Sequence, residues 1–141
     1  MALARVELKG ILPPIPTPFD ERDSFARGRL RGNLREWGRF GLAGYVVLGS
    51  NGEGVLLSSD ERLAVLSAAR DEIPADRWMI AGTGCPSTRE TVDLTKAAAK
   101  IGADAALVLA PSYYRGRMTR DALVRHYATV ADAATIPVLI Y

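Results

Sequence analysis

Apolar positions along the chain fall into two patterns that alternate. Gly44–Gly49 (GYVVLG), Trp78–Thr83 (WMIAGT), Ala105–Ala110 (AALVLA) and Pro137–Tyr141 (PVLIY) are short, nearly unbroken apolar runs. Their length and branched residues predict buried strands near 44–49, 78–83, 105–110 and 137–141. Gly10–Pro16 (GILPPIP) predicts a further extended segment near 10–16, weakened by prolines that withhold ladder donors. Between the runs, apolar residues recur at helical spacing: Leu30, Leu34 and Trp37, then Leu63, Leu66, Ala69 and Ile73, then Leu94, Ala98 and Ile101, then Leu123, Tyr127, Val130 and Ala134. Ser58 with Glu61 and Ser87 with Glu90 have capping-box spacing, and Thr119 can cap the last helix. Pro74 stops the second helix and Gly102 ends the third.

Successive strands start about 30 residues apart, the size of one βα repeat. The runs are apolar throughout, which predicts parallel strands covered on both faces or closed into a barrel. The tally is four βα units and a fifth strand. An eight-unit barrel takes about 250 residues, whereas a five-stranded doubly wound sheet fits this length with nothing missing. Length alone favours the open sheet.

The chain has 141 residues, 48% hydrophobic and 24% charged, so one domain over residues 1–141 can bury a core. No stretch reaches the roughly 20 apolar residues of a membrane helix, and Met1–Arg5 lacks the apolar core of a signal peptide. A net charge of +2, with arginines spread beside acids, gives no footprint for nucleic acid. A cytoplasmic location is the expectation. Cys85 is the only cysteine, which excludes an internal disulfide and a cysteine-rich zinc site. His126 has no acid at ligand spacing, so no metal site is expected.

Three loops carry candidate chemistry. Gly49-Ser50-Asn51-Gly52-Glu53-Gly54 follows a strand and precedes a helix. Glycines there let backbone N–H groups turn toward an anion, while Ser50 and Asn51 add a hydroxyl and an amide. A plain βα turn uses the same residues, and neither a Walker loop nor GxGxxG is present. Pro111-Ser112-Tyr113-Tyr114-Arg115-Gly116-Arg117 pairs tyrosines with arginines, suited to proton transfer and anion contact or to an ordinary surface loop. Tyr141 ends the last strand, either at the catalytic rim of a barrel or as a core tyrosine. Cys85 reads as a small buried hydrophobe.

The order GILPPIPTPF, YVVLGSNGE, AGTG, APSYYRGRM and PVLIY resembles the dihydrodipicolinate synthase and N-acetylneuraminate lyase family. The resemblance covers about Gly10 to Tyr141 and implies a TIM barrel, (β/α)8, present here as about four and a half units. It implies a Schiff-base, pyruvate-handling aldolase that uses no metal or organic cofactor. Ser50-Asn51 together with Tyr113–Met118 looks most like the 4-hydroxy-2-oxoglutarate aldolase branch; lysine-pathway synthases more often carry two threonines at Ser50 and Asn51. By the same resemblance, Ser50 and Asn51 hold the pyruvyl carboxylate, with Ser50 also in a proton relay. Tyr141 shuttles protons at the substrate. Tyr113 or Tyr114, with Tyr114 preferred, is lent to a neighbouring subunit in a homo-oligomer, a tetramer in the family.

The resemblance also exposes a gap. The family's imine-forming lysine lies on the sixth strand, and the fifth is the last here. Lys9 precedes the first strand, while Lys96 and Lys100 lie on the helix after the third. The expectation is the N-terminal portion of a barrel lyase, acting on a small 2-oxo acid and inactive as an isolated chain. The alternatives are a dihydrodipicolinate synthase or another lyase of the family, and a non-catalytic half-barrel that serves as an assembly module.

Overall fold

The computed structural model describes residues 7–141. The reading of Met1–Arg5 lies outside them. Four helices and four strands alternate: α1 (Arg27–Trp37), β1 (Gly44–Val47), α2 (Ser59–Glu72), β2 (Trp78–Gly82), α3 (Thr88–Ile101), β3 (Ala105–Val108), α4 (Arg120–Ala133) and β4 (Val138–Ile140). Short 3-10 turns at Ser50–Gly52, Gly54–Leu56 and Arg115–Arg117 occupy the loops after β1 and β3.

Helix starts follow the local chemistry. Ser58 accepts from the Glu61 N–H at 3.3 Å, and Glu61 accepts in return from the Ser58 N–H at 2.9 Å, a closed capping box. Ser87 caps α3 through the Glu90 N–H and Thr119 caps α4 through the Ala122 N–H. Gly102 closes α3 at φ +101°, a left-handed conformation that side chains rarely adopt.

All strand pairs are parallel, in the order β1-β2-β3-β4. Each crossover steps to the next position in the same direction, and α1, α2, α3 and α4 pack side by side in chain order. A doubly wound sheet reverses direction at a switch point; this sheet does not. The topology is that of a barrel wall, against the expectation from length alone.

Side chains alternate across the sheet. Tyr45, Val47, Met79, Ala81, Ala106 and Val108 join the buried clusters beneath the helices, with Leu30, Leu66 and Val130. The opposite face is also apolar: Val46 pairs with Ile80 and Leu107 with Leu139. Ile80 is buried there, while Val46, Leu107 and Leu139 stay half-buried. This second apolar face explains why the strands read as unbroken runs.

The segment near 10–16 is not a full strand. It runs parallel to β1 through a single bridge, Pro14 to Val46. The Ile15 N–H donates to Val46 O at 3.0 Å and the Val46 N–H to Pro13 O at 2.9 Å. Proline supplies acceptors but no donors, so the ladder cannot extend. β1, β2 and β3 end one or two residues earlier than expected, because the chain turns into the loops after them, and β4 is shorter by one residue at each end.

Candidate active site

Because every strand is parallel, all four C-terminal ends open on one edge of the sheet. Ser50 and Asn51 lie three and four residues past the end of β1, Tyr113 and Tyr114 lie in the loop after β3, and Tyr141 directly follows β4. The edge is thus common to all five.

Leu48 makes the first turn, at φ +61°, an uncommon and costly conformation for a branched side chain. Its carbonyl packs onto the backbone of β2 where Gly82 leaves room: a Cβ there would stand 2.1 Å from Leu48 O. Gly49 and Ser50 leave from this tight crossing. The Gly52 N–H then donates to Gly49 O at 2.9 Å and the Glu53 N–H to Ser50 O at 3.2 Å, which closes the turn. Thr17, 5% exposed, donates its hydroxyl to Gly52 O at 2.6 Å. The proline-rich segment therefore holds the Ser50 loop from beneath.

A cleft of about 240 Å³ lies against this turn, lined by Ser50, Gly54, Val55, Arg62, Gly82 and Leu109 among others. A second, also about 240 Å³, shares Val55, Arg62 and Leu109 and continues to Cys85, Pro111 and Tyr113. Together they form one depression between the loops after β1 and β3. Ser50 and Tyr113 line its two ends; Asn51, Tyr114 and Tyr141 line neither part. Tyr113 and Tyr114 stack edge to face, 4.9 Å apart, and both are exposed. The Tyr141 N–H donates to Val108 O at 3.1 Å, and its ring stands exposed beyond β4.

The floor of the depression is Arg62, only 7% exposed. Its Nε donates to Leu57 O at 3.2 Å and its Nη1 contacts Cys85 Sγ at 3.0 Å. Burial pushes the Cys85 thiol above its ordinary range, and the adjacent Arg62 only partly opposes this. The thiol therefore stays protonated at neutral pH and serves as packing. Arg62, Thr17 and Leu48 were not evident from the sequence reading. For Arg62 a signal existed, since it shares a helical stripe with Leu66, Ala69 and Ile73. His126 is buried on α4, with Nδ1 2.9 Å from the Thr88 hydroxyl. No cluster of metal-ligating side chains occurs among the described residues, and no described helix is long and apolar enough to cross a membrane.

A singly wound parallel β/α sheet of this order is the wall of a β/α barrel, and the polar candidates lie past its strand ends. The profile of the dihydrodipicolinate synthetase family matches residues 7–141, and the chain belongs to that family. It is 43% identical to a probable mitochondrial 4-hydroxy-2-oxoglutarate aldolase of Emericella nidulans, over 94% of this chain and 44% of that protein. It is 39% identical to an L-threo-3-deoxy-hexylosonate aldolase of Hypocrea jecorina, again over 94% and 44%. Among solved structures, a dihydrodipicolinate synthase of Acinetobacter baumannii complexed with pyruvate superposes with a TM-score of 0.88 at 33% identity, covering 96% of this chain and 46% of that one. The structural relatives are TIM barrels, and this chain is a partial one. It spans less than half the length of the curated relatives it matches.

Proposed function

We propose that the chain forms the carboxylate-holding and proton-relay part of a Schiff-base, pyruvate-type aldolase, most like a 4-hydroxy-2-oxoglutarate aldolase. The observation that carries this reading is the Leu48–Gly52 turn, braced by Thr17 and Gly82, which holds Ser50 at the edge of a cleft. In this reading Ser50 and Asn51 bind the pyruvyl carboxylate. Tyr141 transfers protons to and from the reacting carbons, with Ser50 in the same relay. Imine formation and C–C cleavage both need such transfers, and a positioned hydroxyl supplies them. No metal or organic cofactor takes part.

The nucleophile is a lysine from outside these residues. Lys9 lies ahead of the sheet, and Lys96 and Lys100 are exposed on α3. In this reading the chain supplies about four and a half βα units of an eight-unit barrel, with the single-bridge segment near 10–16 in the place of a first strand. Tyr114 serves a neighbouring subunit: with Tyr113, Val55 and Leu56 it supplies the exposed large apolar side chains of the two loops bordering the cleft, a surface suited to a second copy. Asn51 favours the aldolase over the synthase branch.

The test has two arms. Treated with pyruvate and borohydride, the 141-residue chain gains no adduct and releases no pyruvate from 4-hydroxy-2-oxoglutarate. Extended to a complete barrel, the protein is labelled on a lysine outside these residues, and Ser50→Ala and Tyr141→Phe each lower kcat/KM by about 10²-fold or more. Robust turnover by the isolated chain, or an adduct on Lys9, Lys96 or Lys100, overturns the reading.

A further inference from the structure

At the opposite edge of the sheet, where the strands begin, lies a cleft of about 290 Å³ that the proposed reaction does not use. It is framed by the end of α1, the end of α2 and the start of β2, and six residues carry its chemistry: Arg35, Arg39, Tyr45, Glu72, Pro74 and Arg77. Two of them present an anomaly. The Tyr45 hydroxyl, on a residue 1% exposed, and Nη1 of Arg77 are buried with no hydrogen-bond partner among the described residues. Buried donors without partners are rare, and each calls for a physical account. Both residues line the same cleft.

The carboxylate at this cleft is already paired. Glu72, its only carboxylate, is held by Arg31 and by Arg35, whose Nε lies 2.8 Å from Oε2. Arg39 is exposed and pairs with exposed Glu36 at 3.3 Å. The lining therefore carries more guanidinium charge than carboxylate. Its unmet groups are a guanidinium edge, which only donates, and a phenol, which can donate. A cation is repelled by that set; an oxygen anion meets both needs at once. Liquid water takes about 30 Å³ per molecule, so the space holds a small tetrahedral or planar oxyanion with room for solvent.

We infer that this cleft is an oxyanion site, with Arg77 Nη1 and the Tyr45 hydroxyl as donors and Arg39 as a closing charge. The ligand class is a compact phosphate or carboxylate. The site sits between the sheet and α1–α2, independent of the rim that carries Ser50. Occupation would tie together the ends of α1 and α2 and the start of β2, and so stabilise the fold without touching the cleft at Ser50.

The experiment follows melting temperature and titration heat for the purified protein with inorganic phosphate, acetate or chloride at matched ionic strength and neutral pH. Phosphate should raise the melting temperature above the chloride control and give a saturable binding curve. An equal response to acetate assigns the site to carboxylates as well. Tyr45→Phe removes only a hydroxyl that has no partner, so the unliganded variant should melt no lower than the parent. Its affinity for the anion should nevertheless fall, by roughly tenfold for one charge-assisted hydrogen bond. Arg77→Gln should abolish the response. Phosphate and acetate that act only as chloride does overturn the inference. So does an undiminished response in both variants.

Discussion

Replacing Gly82 by alanine tests the crossing on which the Ser50 turn depends. An alanine Cβ would lie 2.1 Å from Leu48 O, 2.6 Å from Leu48 C and 3.1 Å from Gly49 N. These are backbone atoms, so no side chain can rotate aside. The carbonyl must retreat by about 0.9 Å to reach even 3.0 Å, and Gly49 and Ser50 move with it. Overpacking of this kind costs up to about 3 kcal/mol; the entropy alanine removes from the unfolded chain returns up to about 1 kcal/mol. The expected net loss is therefore about 2 kcal/mol, a fall of about 1 M in urea midpoint for a slope near 2 kcal/mol/M. Gly28→Ala on α1 is the control, since nothing lies within 4 Å of its added Cβ. There the same chemical change should stabilise by about 0.5–1 kcal/mol through helix propensity. In a complete barrel, a shift near 1 Å in Ser50 should also lower kcat/KM by about 10²-fold. A midpoint for Gly82→Ala within 0.2 M (roughly 0.4 kcal/mol at that slope) of the parent, or two variants that move together, would refute the close approach of Leu48 to β2.

Three further outcomes follow from buried or capping groups. Thr83 and Thr95, 0% and 1% exposed, share a 2.8 Å hydroxyl–hydroxyl hydrogen bond; either valine substitution alone should cost about 1–3 kcal/mol, while the pair together should cost less than the sum, as urea denaturation in a double-mutant cycle will show. Ser58→Ala removes the cap of α2 and should cost about 1 kcal/mol by the same assay. Burial lowers the His126 pKa from its usual 6.5, so the folded protein binds this proton less readily than the unfolded chain. Stability should therefore fall as pH drops below about 6.5 and level off once the folded pKa is passed, a decline that urea midpoints between pH 7.5 and 5.5 should show and that His126→Asn should flatten.

Much of the protein was legible from local pattern. Strand and helix positions followed from apolar runs and from spaced stripes, because those periods decide which faces can be buried. Ser58, Ser87 and Thr119 marked helix starts, since a cap satisfies backbone donors within three residues of itself. Gly102 marked an end for the same local reason. Ser50, Asn51, Tyr113 and Tyr114 were found as loop residues after strands and Tyr141 as the end of one, and parallel pairing then carried all of them to one edge. Strand order was a different matter. Sequential pairing and reversal at a switch point use the same alternation of elements, and only the packing of α1 through α4 on neighbouring positions separates them. Equally tertiary was the fate of residues 10–16, where prolines left one bridge instead of a strand. The burial of Arg62 against Cys85 was likewise decided by tertiary packing, because the two residues meet only once α2 lies against the loop after β2. The unmet donors of Tyr45 and Arg77 had no local signature at all, because a hydrogen bond is missing only relative to the neighbours that packing of α1, α2 and the sheet brings around them.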